Sequence, residues 1–145
     1  MSTEANKALV RRFYDEVESQ GRLDVVDELF APTFVDTGHP DRGTGPDSVK
    51  AHVSEMRTRF PDLTVTVDQL VAEGEWVVAR LTSRGTQLGP FAGLPPTGKA
   101  VTWTGVGRRR IIAGRIVEQW TKYDMLSLLR QLGALRLGAP APPDP

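Results

Sequence analysis

The sequence predicts an α+β fold, with a strongly curved antiparallel sheet forming a cone-shaped half-barrel and three N-terminal helices enclosing an apolar pocket. Three observations carry this expectation. Apolar residues recur at helical spacing up to Phe60, they alternate with polar ones from Leu63 onward, and Gly-containing turns divide the later segments into hairpins. Helices first and hairpins after is an α+β arrangement, not that of a parallel sheet. The 145 residues suit one domain, able to bury roughly two-thirds of the surface its unfolded chain exposes.

From Glu4 to Gln20, Leu9, Val10, Phe13, Tyr14 and Val17 form one stripe of a helix, with Ser2 or Thr3 as N-cap and Gly21 as terminator. A second helix starts near Asp24, whose carboxylate can cap the first turn, and runs through Val25, Val26, Leu29 and Phe30 until Pro32 stops it. An extended Thr33-Phe34-Val35 leads into a polar loop from Asp36 to Gly45, of the kind that often carries function. Pro46 opens a third helix with Val49, Val53, Met56 and Phe60 on its apolar face.

Leu63, Val65 and Val67 then alternate with polar residues as a half-buried strand does. Three further strands are expected over Trp76 to Thr82, Ala100 to Val106 and Ile116 to Trp120, with Glu73-Gly74-Glu75 and Ala113-Gly114 as turns. A last helix runs from Met125 to Leu132 and is closed by Gly133. The expected domain therefore covers residues 1–133, followed by a Pro-rich tail over 134–145 that reads as disordered.

Composition excludes several function classes. The 18 basic and 18 acidic residues sum to zero formal charge, so the field that gathers phosphate backbones is missing and no nucleic-acid partner is expected. Without cysteine there is no disulfide, thiolate nucleophile or Cys-bound zinc, and with only His39 and His52 no multi-histidine metal site. No stretch approaches the roughly 18 apolar residues that span a bilayer, and Met-Ser-Thr-Glu-Ala-Asn-Lys lacks the core of a signal peptide. The expectation is a soluble, cytoplasmic protein.

A concave space under a curved sheet is the default place for a ligand. His39, in the polar loop, can reach over its mouth as a donor or proton carrier, or remain a solvated loop residue. Arg80 interrupts an apolar strand and needs a carboxylate or ligand oxygen if it points inward, or else lies on the outer face. Trp76, Trp103 and Trp120 sit on three different strands, so at least one should wall the pocket. In Arg108-Arg109-Arg110, alternation sends Arg109 to the opposite face from its neighbours, and the run reads as a solvated edge or dimer rim. The constrained loop from Gly89 to Pro96 should expose Phe91 and Leu94 as a lid or dimer contact.

The order of Gly85-Thr86-Gln87-Leu88-Gly89, Gly93-Leu94-Pro95-Pro96-Thr97-Gly98, Gly114 to Trp120, Asp124 and Leu129-Arg130-Gln131-Leu132-Gly133 resembles the SnoaL-like polyketide cyclases, within the nuclear transport factor 2-like folds, over about residues 5 to 133. The resemblance implies ring closure of a polyketide ester by intramolecular aldol condensation, no metal or organic cofactor, a small apolar or polycyclic ligand and a homodimer. It also implies an acid in the last strand paired with a histidine in the strand before it. The histidine position falls on Gly107, and the acid on Thr121 or Asp124 according to strand register. Asp124 is the candidate acid/base, or alternatively the N-cap of the last helix, with His39, Arg80, Trp103, Trp120 and Tyr123 around the substrate. The competing readings are a non-catalytic container for an apolar ligand and an epoxide hydrolase of the same fold.

Overall fold

The computed structural model describes residues 2–135. Helix α1 (Thr3–Arg12) is capped by the Ser2 hydroxyl, which accepts from the Ala5 amide at 3.1 Å. Beyond Arg12 the helix widens into a π-helical stretch, Phe13–Glu18, in which the Ser19 amide donates to the Tyr14 carbonyl. Periodicity alone predicts an uninterrupted α-helix here. The Glu18 and Ser19 carbonyls at its end accept instead from Nη1 of Arg57, a partner that only the tertiary fold supplies. Wide turns of this kind recur at functional sites.

A 3-10 turn (Leu23–Val25) leads into the short α2 (Val26–Leu29), and Asp24 makes no capping hydrogen bond there. The chain becomes extended at Phe30, before Pro32 is reached, because β1 (Phe30–Asp36) joins the sheet. Pro32 is tolerated because β1 is an edge strand. A second 3-10 turn (Pro40–Arg42) precedes α3 (Gly45–Arg59), which has Pro46 in its first turn as expected.

Strands β2 (Thr64–Glu73), β3 (Trp76–Thr86), β4 (Ala100–Ile112) and β5 (Arg115–Tyr123) pair in sequence as antiparallel neighbours. Ala113 and Gly114 turn the last hairpin at φ 50° and 76°. To the expected strands β1 adds a fifth, parallel to β5, giving the order β1-β5-β4-β3-β2. Helix α4 (Met125–Gln131) follows and ends at Gly133. Among the described residues no helix is long and apolar enough to cross a membrane. The expected tail lies outside the described residues from position 136 onward.

Two aromatic groups fill the space between helices and sheet. Phe13, Phe30 and Phe34 meet edge to face at centroid distances of 5.2 and 4.9 Å, and Phe60 touches Trp103 and Phe91 at 5.0 and 5.6 Å. Each such ring contributes on the order of 2 kcal/mol by burial. Phe91, expected on an exposed lid, is only 8% exposed. The buried Gln87 amide holds its loop inward, donating to the Gly89 and Pro95 carbonyls and accepting from Thr97.

Candidate active site

The concave face of the sheet, α3, α4 and the Pro40–Arg42 turn surround a cavity of about 520 Å3, within the usual range for a small-molecule site. Its lining is of mixed polarity. Leu63, Phe91, Trp103 and Leu128 form an apolar wall, Ser83, Thr121 and Tyr123 present hydroxyls, and Glu18, His39, Arg42, His52 and Arg59 bring ionisable groups.

Of the residues expected at the site, His39, Trp103 and Tyr123 line this cavity. Arg80, Trp120 and Asp124 meet instead at a shallow depression that includes Val106. Arg80 is exposed because strand alternation turns its buried neighbours Ala79 and Leu81 inward. Trp120 lies 6.0 Å beneath the Arg108 guanidinium and 5.9 Å beneath the Lys122 ammonium. Asp124 is exposed at the start of α4, where its Oδ1 accepts from the Ser127 amide at 3.0 Å. Its carboxylate therefore performs the capping role and stands outside the cavity that acid/base chemistry requires.

Gly107 and Thr121 face each other across the β4–β5 ladder. A Cβ on Gly107 would stand 2.7 Å from the Tyr14 hydroxyl and 2.8 Å from Nη1 of Arg109. These two groups occupy the volume that a histidine at 107 needs. Arg109, read from sequence as part of a solvated edge, is in fact 1% exposed. It donates to the Tyr14 hydroxyl, and its Cζ lies 4.7 Å over the Phe13 ring and 4.8 Å over that of Tyr14. Hydroxyl and π faces offset part of the cost of burying the guanidinium.

Sequence reading missed the carboxyls at the cavity wall, Asp41, Glu55 and, on the first helix, Glu18. Burial raises the Glu18 pKa above the ordinary carboxylate value, with the cations Arg109, Arg42 and Arg57 pulling the other way. The available signal was its place four residues after Tyr14, which puts both on one helix face. Tyr14 and Tyr123 are also raised, chiefly by burial, so both hydroxyls stay protonated.

At the mouth, the buried Asp36 carboxylate accepts from the Gly38 and His39 amides at 3.0 Å and from Nε2 of Gln119 at 2.9 Å. This holds the His39 loop against the sheet. His39 Nδ1 lies 3.6 Å from Asp36 Oδ1, beyond hydrogen-bond reach.

His52 is held neutral, its pKa lowered to about 4 first by burial and then by Arg42, against the opposing pull of Asp36. An unfolded histidine titrates near 6.5. Between about pH 6.5 and 4 the unfolded chain thus binds a proton that the folded one does not, and stability falls as pH drops through that window. Glu18, raised in the fold, contributes with the opposite sign, so the comparison must be between variants. Denaturant unfolding at pH 7 and pH 4.5 should show about 2 kcal/mol less acid destabilisation for His52→Gln than for the parent. Equal acid sensitivity in both would refute this.

Comparison with known proteins adds three findings. The family description of SnoaL-like polyketide cyclases matches residues 8–132. The chain is 32% identical to the nogalonic acid methyl ester cyclase of Streptomyces nogalater, over 78% of this chain and 87% of that one, and 30% identical to the aklanonic acid methyl ester cyclase DnrD of Streptomyces peucetius, over 92% of each. The solved structure of TsrD from Streptomyces laurentii superposes with a TM-score of 0.86 at 29% identity, covering 93% of this chain and 99% of that one.

Proposed function

Because this chain belongs to the SnoaL-like polyketide cyclase family, we propose that it closes a ring in a polyketide-derived keto ester by a cofactor-free intramolecular aldol condensation. The observation that carries this reading is the cavity of about 520 Å3, lined by apolar Trp103, Phe91 and Leu128 together with Tyr123 and several ionisable groups. The methyl ester cyclases among the relatives support the substrate class.

The chemistry needs little beyond such a cavity. A base takes the proton from the carbon next to the ester carbonyl, and the resulting enolate carbon bonds to a ketone carbon within the same molecule. The ketone's π pair becomes an alkoxide, which is then protonated, so the product is an isomer of the substrate. A positioned proton-transfer group supplies about 10²–10⁴-fold. Donors at the developing oxyanion supply about 10²–10³-fold more. Tyr123, held protonated by its burial, is such a donor, and Trp103 offers a flat surface to a polycyclic substrate.

Nogalonic acid methyl ester incubated with the purified protein in the presence of a metal chelator should give a product of unchanged mass and altered retention. Tight binding without any product would instead make the protein a container for the ligand.

A further inference from the structure

We infer that the acid/base of this ring closure is Glu18, presented by the π-helical end of the first helix, with Arg109 as its charge-balancing partner in place of a β4–β5 catalytic pair. The inference rests on the function proposed above and adds the group that performs it. Three carboxylates line the cavity, Glu18, Asp41 and Glu55. Asp41 is exposed on the 3-10 turn, and Glu55 is exposed and ion-paired with Arg59 at 2.6 Å. Glu18 alone of the three is partly buried.

The β4–β5 pair has no group of its own to transfer a proton. Gly107 has no side chain and the Thr121 hydroxyl does not titrate in the working range, while Tyr14 and Arg109 fill the space in front of Gly107. The same Arg109 sets a fixed positive charge whose field acts on Glu18. A carboxyl buried without a cation stays protonated and is useless as a base, whereas one beside a strong cation in water is too weak. Arg109, itself 1% exposed, pulls the Glu18 pKa down against the burial that raises it.

The π turn is what aims the group. Arg57 ties down the Glu18 and Ser19 carbonyls at 2.9 and 3.3 Å, so the backbone that carries the carboxyl is fixed to α3. The ionised Glu18 takes the proton next to the ester carbonyl and returns it, as the acid, to the new alkoxide. The charged and titratable groups acting on it are Arg109 of β4, Arg42 of the 3-10 turn and Arg57 of α3, and its own charge acts on Tyr14 and Tyr123. Ring closure should therefore slow as pH falls through a midpoint above the ordinary carboxylate range.

The test uses nogalonic acid methyl ester in D2O, following enzyme-dependent deuterium entry next to the ester carbonyl as well as ring closure. Glu18→Gln should lose both by about 100-fold or more while quenching of the intrinsic tryptophan fluorescence reports unchanged substrate affinity. If the variant keeps both within about tenfold, Glu18 is not the base and the cyclase reading stands without it. A parent protein that binds the ester yet neither exchanges nor cyclises it overturns the cyclase reading and this inference with it. Should Glu18→Gln fail to fold, carboxyl NMR titration of the parent decides. A Glu18 midpoint above the ordinary carboxylate value supports the assignment, and one at or below it overturns it.

Discussion

Arg109→Ala should destabilise the protein by about 3–5 kcal/mol and lower the thermal midpoint by on the order of 10 °C. Two losses combine. Removing a side chain that is 1% exposed and packed on the Phe13 and Tyr14 rings leaves a void that the sheet cannot close, because β4 is paired on both sides. The Tyr14 hydroxyl also loses the guanidinium that donates to it. Arg109→Met, similar in length and apolar, should recover most of this stability, since a well-packed apolar side chain often replaces a buried charge at little cost. It should not recover the function. Without the cation that acts on it most strongly the Glu18 carboxyl titrates still higher, so the midpoint of the pH–rate profile should move to more alkaline pH in Arg109→Met. Unfolding by heat and by denaturant checks the first expectation, and the pH profile the second. A loss below about 1 kcal/mol in Arg109→Ala would show that the buried guanidinium is not integral to the core.

The second large effect is at Gly107. Gly107→His, which places a histidine opposite Thr121, should cost about 2–4 kcal/mol and yield less cyclisation, not more. The reason is occupancy: even a Cβ comes within 2.7 Å of the Tyr14 hydroxyl and 2.8 Å of Arg109 Nη1, and the imidazole has nowhere to go until that pair moves. The same substitution made in an Arg109→Ala background should cost far less, because the vacated volume accepts the new ring. The two changes should therefore couple by about 1–3 kcal/mol in a double-mutant cycle. Strict additivity would mean that the two side chains do not compete for one space.

Much of the fold was legible because the local rules agreed with the global one. Ser2 caps, Pro46 opens a helix, and Ala113-Gly114 turns a hairpin between strands whose faces alternate. The sequence reading went astray where a partner distant in sequence overrode a local preference. The wide turn at Phe13–Glu18 has its end carbonyls held by Arg57, Phe30 leaves α2 to pair with β5, and Phe91 turns inward because the Gln87 amide pins its loop.

The candidate site divides in the same way. Alternation along the strands placed Arg109 opposite its neighbours, and chain position made Asp124 a possible cap, since both are properties of nearest neighbours. Which face of the sheet is concave, and what fills it, depends on strand curvature and on side chains packed across long separations. Only the tertiary structure could show that Arg80, Trp120 and Asp124 meet away from the cavity. The same holds for Tyr14, which reaches across 95 residues to Arg109 and fills the place of a missing side chain at Gly107. By itself the sequence determined the family, the order of helices and hairpins, and the absence of cysteine chemistry. The identity of the buried carboxyl was decided by packing, because burial and the field of distant cations are properties of the folded volume and not of the chain around Glu18.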